Sequence, residues 1–186
     1  ESKGLKVVLS KNVFGQWNRF SGTDEKRISD FQWALDEESV KAIFCSRGGY
    51  GSVRIIDRLN FDAFNANPKW IIGYSDITVF HMHLFSNHSI QSIHGPMPLN
   101  IVDKKEELES ANQMLSILFG KRSIVNFANH NLNNYGECDG LLVGGNLSVL
   151  CGLVGTNSQP DYSGTILFLE DLCEENYKLD RMLSQL

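Results

Sequence analysis

Apolar residues in this chain come in short continuous runs, separated by stretches in which they recur every three or four positions. Residues 5–9 form the first run, broken only by Lys6, and are expected to be a strand. The polar stretch 10–23, with Phe14, Trp17 and Phe20, reads as a loop. Thr23 can cap a helix that opens with Asp24 and Glu25, acids suited to a first turn, and Ile28, Phe31, Ala34 and Leu35 share one face of it. A second apolar run, 40–45, predicts a buried strand and ends in Arg47-Gly48-Gly49-Tyr50-Gly51. A helix through Val53, Ile55, Ile56 and Leu59 is expected next, and Pro68 precedes a third strand over 69–73. Ser75 and Asp76 then open a helix to about Phe85, residues 91–94 form a short extended piece, and a longer helix from about Asp103 carries Leu108, Ala111, Leu115 and Leu118.

Short apolar strands alternating with helices of this length indicate a parallel sheet covered on both faces. The expected fold is therefore α/β: a doubly wound, flavodoxin-like parallel sheet over residues 1–119. An asparagine-rich linker follows at 120–137, and then the start of a second, incomplete domain at 138–186. That second unit holds strands at 140–145 and 165–169 and a helix from Glu174 onward.

Composition narrows the class. At 186 residues, with 42% hydrophobic and 21% charged, the chain can bury a real core. The 17 Lys and Arg residues are scattered and outnumbered by 22 acids, which argues against a nucleic-acid partner. No apolar run approaches the roughly 20 residues that span a bilayer, and there is no signal-peptide pattern, so no membrane partner is expected. A removed leader stays open because the chain begins at Glu1. Cys45, Cys138, Cys151 and Cys173 form no CxxC pair and read as reduced structural thiols, which favours the cytoplasm over a secreted disulfide framework.

The chemistry concentrates where a strand runs into a helix through Gly73-Tyr74-Ser75. Such a turn pushes a serine hydroxyl out of the sheet end and sets helical N–H groups behind a developing oxyanion. Ile77 stands where the usual second glycine of the nucleophile elbow would be. From this short pattern alone, Ser75 reads more readily as a plain N-cap. The glycine-rich turn at 47–51 ends the preceding strand and should lie beside Ser75, so that Gly49 and Asp76 would supply oxyanion-hole N–H groups. It fits neither phosphate-loop pattern, and a connection without any ligand is the bland alternative. None of the five histidines, His81, His83, His88, His94 and His130, pairs at metal-ligand spacing, so no metal and no cofactor are expected.

Taken in order, Arg47-Gly48-Gly49-Tyr50-Gly51, Pro68-Lys69, Gly73-Tyr74-Ser75-Asp76-Ile77-Thr78 and His94-Gly95-Pro96 resemble the motif set of the LD-carboxypeptidases and the related microcin-immunity serine peptidases. Upstream Ser21-Gly22-Thr23-Asp24 and downstream Gly144-Gly145-Asn146-Leu147 and Leu169-Glu170-Asp171 match as well. The resemblance implies a Ser-His-Glu triad with Ser75 as nucleophile and Glu170 orienting the histidine, Glu174 being the second choice. Without it, Glu170 is as readily a helix-start acid. The resemblance also points to Gly48, Tyr50, His94 and Asn146 as pocket residues, to a murein tetrapeptide as the peptide substrate with D-alanine released, and to a homodimer. The family histidine belongs to a later segment, so the chain as given is expected to be a catalytically silent fragment, with His94 a pocket hydrogen-bonder in preference to a base. A microcin-type peptidase acting on a peptide-nucleotide and a non-enzymatic binding module are the competing readings.

Overall fold

The computed structural model describes residues 4–101 and 105–186. Helix α1, Asp24–Asp36, starts where Thr23 Oγ1 accepts the Lys26 N–H at 3.4 Å, with Asp24 and Glu25 complementing the helix dipole. Its other end is closed from a distance. The buried ammonium of Lys69 donates to the carbonyls of Ala34 at 3.1 Å and Glu37 at 2.8 Å, which would otherwise be orphaned.

Strands β1 (Ala42–Phe44), β2 (Trp70–Gly73) and β3 (Ile93–His94) form a parallel sheet in the order β1-β2-β3. Side chains of β2 alternate between its two faces, so both sides carry a core. Ile71 packs with Leu35 of α1 and with Val79 and Phe80 of α3 (Thr78–His88), whereas Ile72 packs with Ile93 and with Met114 of α4 (Lys105–Leu118). Phe31 and Phe80 stack at 4.2 Å between α1 and α3. Helices thus cover both faces of a parallel sheet, as the alternating pattern indicates.

Short helix α2, Asp62–Ala66, precedes β2. A second parallel pair, β4 (Leu141–Asn146) and β5 (Thr165–Glu170), is joined through α5 (Leu147–Gly152), and α6 (Asn176–Gln185) follows. Strand β4 reaches the start of α3, where the Asn146 N–H donates to Thr78 Oγ1 at 3.0 Å. Residues 121–140 are exposed throughout and carry no helix or strand.

Four expectations need correction. Residues 5–9 form no strand: Val7, Val8 and Leu9 are more than half exposed and pair with nothing among the described residues. The stretch after Gly51 is two 3-10 turns, Ser52–Arg54 and Ile56–Arg58, not one helix. Strand β5 extends one residue further, to Glu170, and the last helix begins at Asn176 with Glu175 as its cap. The expected start of α4 at Asp103 lies outside the described residues.

Candidate active site

The turn between β2 and α3 is built from three constraints. A Cβ on Gly73 would come within 2.8 Å of the Ile77 side chain, so the chain must lack a side chain there for Ile77 to fold back over the strand end. Bulk at Ile77, in the place of the usual second glycine, is accommodated by glycine at 73. The Gly73 carbonyl accepts the Gly95 N–H at 3.1 Å and His81 Nε2 at 2.9 Å. A carbonyl can only accept, so Nε2 of His81 carries the proton and Nδ1 accepts from Ser92 Oγ at 2.8 Å. Burial drives the His81 pKa down to about 4, which keeps this strut neutral.

Ser75 follows at φ 61°, a left-handed conformation rare for a residue with a Cβ, and a 3-10 turn over Ser75–Ile77 leads into α3. Tyr74 before it is extended, and its side chain makes no N-cap bond to the turn. Ser75 therefore sits at a strained strand-to-helix corner and is not an ordinary helix cap. Gly48 lies against it: a Cβ on Gly48 would stand 3.0 Å from Ser75 Cβ and 3.2 Å from Oγ. The two special turns meet, as their shared sheet edge predicts.

A role for the Asp76 side chain escapes the motif reading. Its buried Oδ2 accepts both the N–H of Ser52 at 2.9 Å and the Ser52 hydroxyl at 2.7 Å, fastening the far end of the glycine-rich loop to the serine corner. The same loop is held from outside. Arg27 donates to the Gly51 carbonyl at 3.0 Å while Arg27 and Arg54 both grip Asp24, whose carboxyl is held down to about 2 chiefly by the Arg54 hydrogen bonds. Both guanidiniums also lie over Phe20, which neighbours Tyr50 at 6.1 Å. The only sequence signal for this network is an acid directly after the serine, together with Asp24 in the Ser21-Gly22-Thr23-Asp24 motif.

Glu170 ends β5 opposite Asn146 in register. Its half-buried carboxyl has a raised pKa, first because of desolvation and then because of Asp171, opposed by the nearby Asn146 amide and Ser75 N–H. Oε1 of Glu170 is buried without a hydrogen-bond partner among the described residues. Asn146 fixes the neighbourhood: its Oδ1 accepts the Val149 N–H at 3.1 Å as the cap of α5, and its Nδ2 donates to Asp171 Oδ1 at 3.1 Å.

Ser75, Gly49, Tyr50, Asp76, Asn146, Glu170 and Glu174 all line one cleft of about 370 Å³. Two expected pocket residues do not. Gly48 backs the serine from behind, and His94 packs its ring on Phe168 at 5.0 Å and beside Tyr74 at 6.1 Å, where desolvation lowers its pKa. No histidine is among the cleft-lining residues. Below the loop, burial and the Asp76 charge push the Cys45 thiol up to about 12, so it supplies no thiolate. Among the described residues no group of three or more His, Cys, Asp or Glu side chains is placed to hold a metal, and no helix is long and apolar enough to cross a membrane.

Comparison with known proteins identifies the family. The model of the LD-carboxypeptidase N-terminal domain matches residues 1–95, and that of the LD-carboxypeptidase C-terminal domain matches residues 139–186. The murein tetrapeptide carboxypeptidase of Pseudomonas aeruginosa is 31% identical over 199 residues, covering 100% of this chain and 63% of its own length. The crystal structure of muramoyltetrapeptide carboxypeptidase from Oxalobacter formigenes superposes with a TM-score of 0.87 at 31% identity, over 99% of this chain and 62% of that one. The microcin C7 self-immunity protein MccF of Escherichia coli is more distant, 26% identical over 217 residues, covering 100% of this chain and 63% of its own length. The chain thus spans about three fifths of the relatives it matches. With a strained serine at a strand-to-helix corner and both domain models matched in order, the chain belongs to the LD-carboxypeptidase family.

Proposed function

We propose that the protein is a serine carboxypeptidase that cleaves an L,D-peptide bond and releases a terminal D-alanine from a murein tetrapeptide during cell-wall recycling in the cytoplasm. The observation that carries this reading is the convergence of Ser75, strained at φ 61°, and the Glu170 carboxyl on one cleft. Ser75 Oγ attacks the scissile carbonyl, and the N–H groups of Gly49 and Asp76 receive the oxyanion. Glu170 accepts the far N–H of an imidazole, fixes its tautomer and stabilises the imidazolium that forms. Its unpartnered Oε1 suits that duty, because a buried acceptor without a donor calls for one.

The imidazole is not among the residues lining the cleft, so the reading assigns it to a segment beyond these 186 residues. The 186-residue chain is expected to release no D-alanine from an L-lysyl- or diaminopimelyl-D-alanine tetrapeptide, whereas the complete protein turns over and is labelled at Ser75 by a fluorophosphonate. In the complete protein Glu170→Gln is expected to lower kcat by about 10³- to 10⁴-fold with folding intact. Robust turnover by the 186 residues would move the base to a resident histidine, with His94 first in line. The similarity to MccF motivates a second substrate, a peptide-nucleotide. A parallel assay with an aminoacyl sulfamoyl nucleoside separates the two, because Ser75 and Glu170 would serve either reaction and only the preferred leaving group differs.

A further inference from the structure

A carboxypeptidase must tell a chain end from a chain interior, and the mark of the end is a free carboxylate. The cleft is poorly disposed toward one. Its wall holds Asp76, Glu170, Asp171 and Glu174, and no lysine or arginine is among its lining residues. A substrate carboxylate entering it therefore needs a cation from the rim. Three nearby cations are already committed among the described residues: Arg27 and Arg54 to Asp24, and Lys178 to the cleft-lining Glu174 at 3.4 Å.

Arg47 is not. It is exposed, and among the described residues it forms no ion pair and a single hydrogen bond, from Nε to the carbonyl of Gly48 at 3.3 Å. That bond turns the guanidinium along its own loop and leaves both terminal nitrogens unengaged by any described residue. Nη2 lies 3.8 Å from the position a Cβ on Gly49 would take, so the fork stands beside the glycine that lines the cleft. We propose that Arg47 is the specificity residue that receives the C-terminal carboxylate of the peptide. The assignment rests on the Ser75 peptidase reading. With the scissile oxygen at the Gly49 N–H, the terminal carboxylate is one residue further along, a reach of about 3.6 Å, which brings it to the fork beside that same glycine. A planar guanidinium matches a carboxylate with two parallel N–H donors, and its exposed position keeps the cost of desolvation small.

The test compares a tetrapeptide ending in a free carboxylate with the same peptide ending in an amide, using the complete protein. Arg47→Gln is expected to lower kcat/KM on the free acid by roughly 10- to 100-fold, the range for a charge-assisted pair, mainly through KM. The rate on the amide should stay within about twofold of wild type, and Arg47→Lys should keep part of the preference for the acid. A loop-positioning role would instead depress both peptides equally, and that result, or an unchanged acid-to-amide ratio, overturns the assignment while leaving the peptidase reading intact. Thermal melts of both variants are expected to match wild type, and should Arg47→Gln melt early, the ratio measured for Arg47→Lys decides. A wild-type protein that cleaves neither peptide overturns the peptidase reading and the Arg47 assignment with it.

Discussion

Replacing Asp76 by alanine should loosen the link between the two turns that meet at Ser75. The substitution removes two hydrogen bonds to a buried carboxylate oxygen, at 2.9 and 2.7 Å, and strands the N–H and hydroxyl of buried Ser52. Hydrogen bonds to charged groups contribute about 1.5–3 kcal/mol each, so a loss of about 3–5 kcal/mol is expected after partial relaxation. For a chain of this size 1 kcal/mol corresponds to about 2–4 °C, which places the fall in Tm at roughly 6–20 °C. Asp76→Asn keeps an acceptor but loses the charge, and should cost only about 1–2 kcal/mol. Circular dichroism melts and urea midpoints of wild type, Asp76→Ala, Asp76→Asn, Ser52→Ala and the double variant measure these values. The cycle should show a coupling of about 1–2 kcal/mol between Asp76 and Ser52. An Asp76→Ala variant melting within about 2 °C of wild type, or a double variant whose loss is the sum of the singles, would refute the clamp.

Three further outcomes follow from the same geometry. Ser75→Gly should stabilise the fold by about 1 kcal/mol by releasing the cost of φ 61°, whereas Ser75→Ala, which keeps the Cβ, should not; equal melting temperatures would mean the corner carries no strain. His81, with a folded-state pKa of about 4 against 6.5 in the unfolded chain, contributes stability that is present above pH 6.5 and lost as pH falls through 4, about 3 kcal/mol in all. The difference in urea midpoint between pH 7 and pH 4 should therefore shrink in His81→Gln, and an unchanged difference would contradict the neutral strut. Glu170 has the opposite sign: its raised pKa favours the fold below the unfolded carboxyl range, and that contribution is lost as pH rises through the folded value. Glu170→Gln should thus be no less stable than wild type at pH 7, and a clear loss there would show that the ionised carboxylate is held by bonds the site does not display.

The alternation of strand and helix was legible because it is local: β2 and α3 follow directly from an apolar run, a glycine and a change of period. Residues 5–9 show the limit of that logic. An apolar run states a capacity to pair but does not name a partner, and Val7, Val8 and Leu9 find none among the described residues. The stretch after Gly51 failed for another reason, since its turns are set by the tether from Ser52 to Asp76, 24 positions away. Ser75, Glu170 and the glycine loop could be picked out as motifs. Their convergence on one cleft, and the displacement of His94 from it onto Phe168, depend on how β4 crosses the start of α3, which no periodicity records.

Asn146 bears on how a loss of activity in a variant should be interpreted. Its backbone ties β4 to the serine helix, its carbonyl oxygen caps α5, its amide nitrogen holds Asp171, and it pairs in register with Glu170. Two of these demands fall on its backbone and two on its side chain, and the side-chain pair disfavours the nearest substitutes: aspartate lacks the donor, serine lacks the reach, and glutamine overshoots the cap. An asparagine at this place, on the wall of the cleft, invites a chemical role. Those contacts give Asn146 an architectural duty of its own, joining the two sheets, so a loss of activity on replacing it would not by itself mark a chemical role.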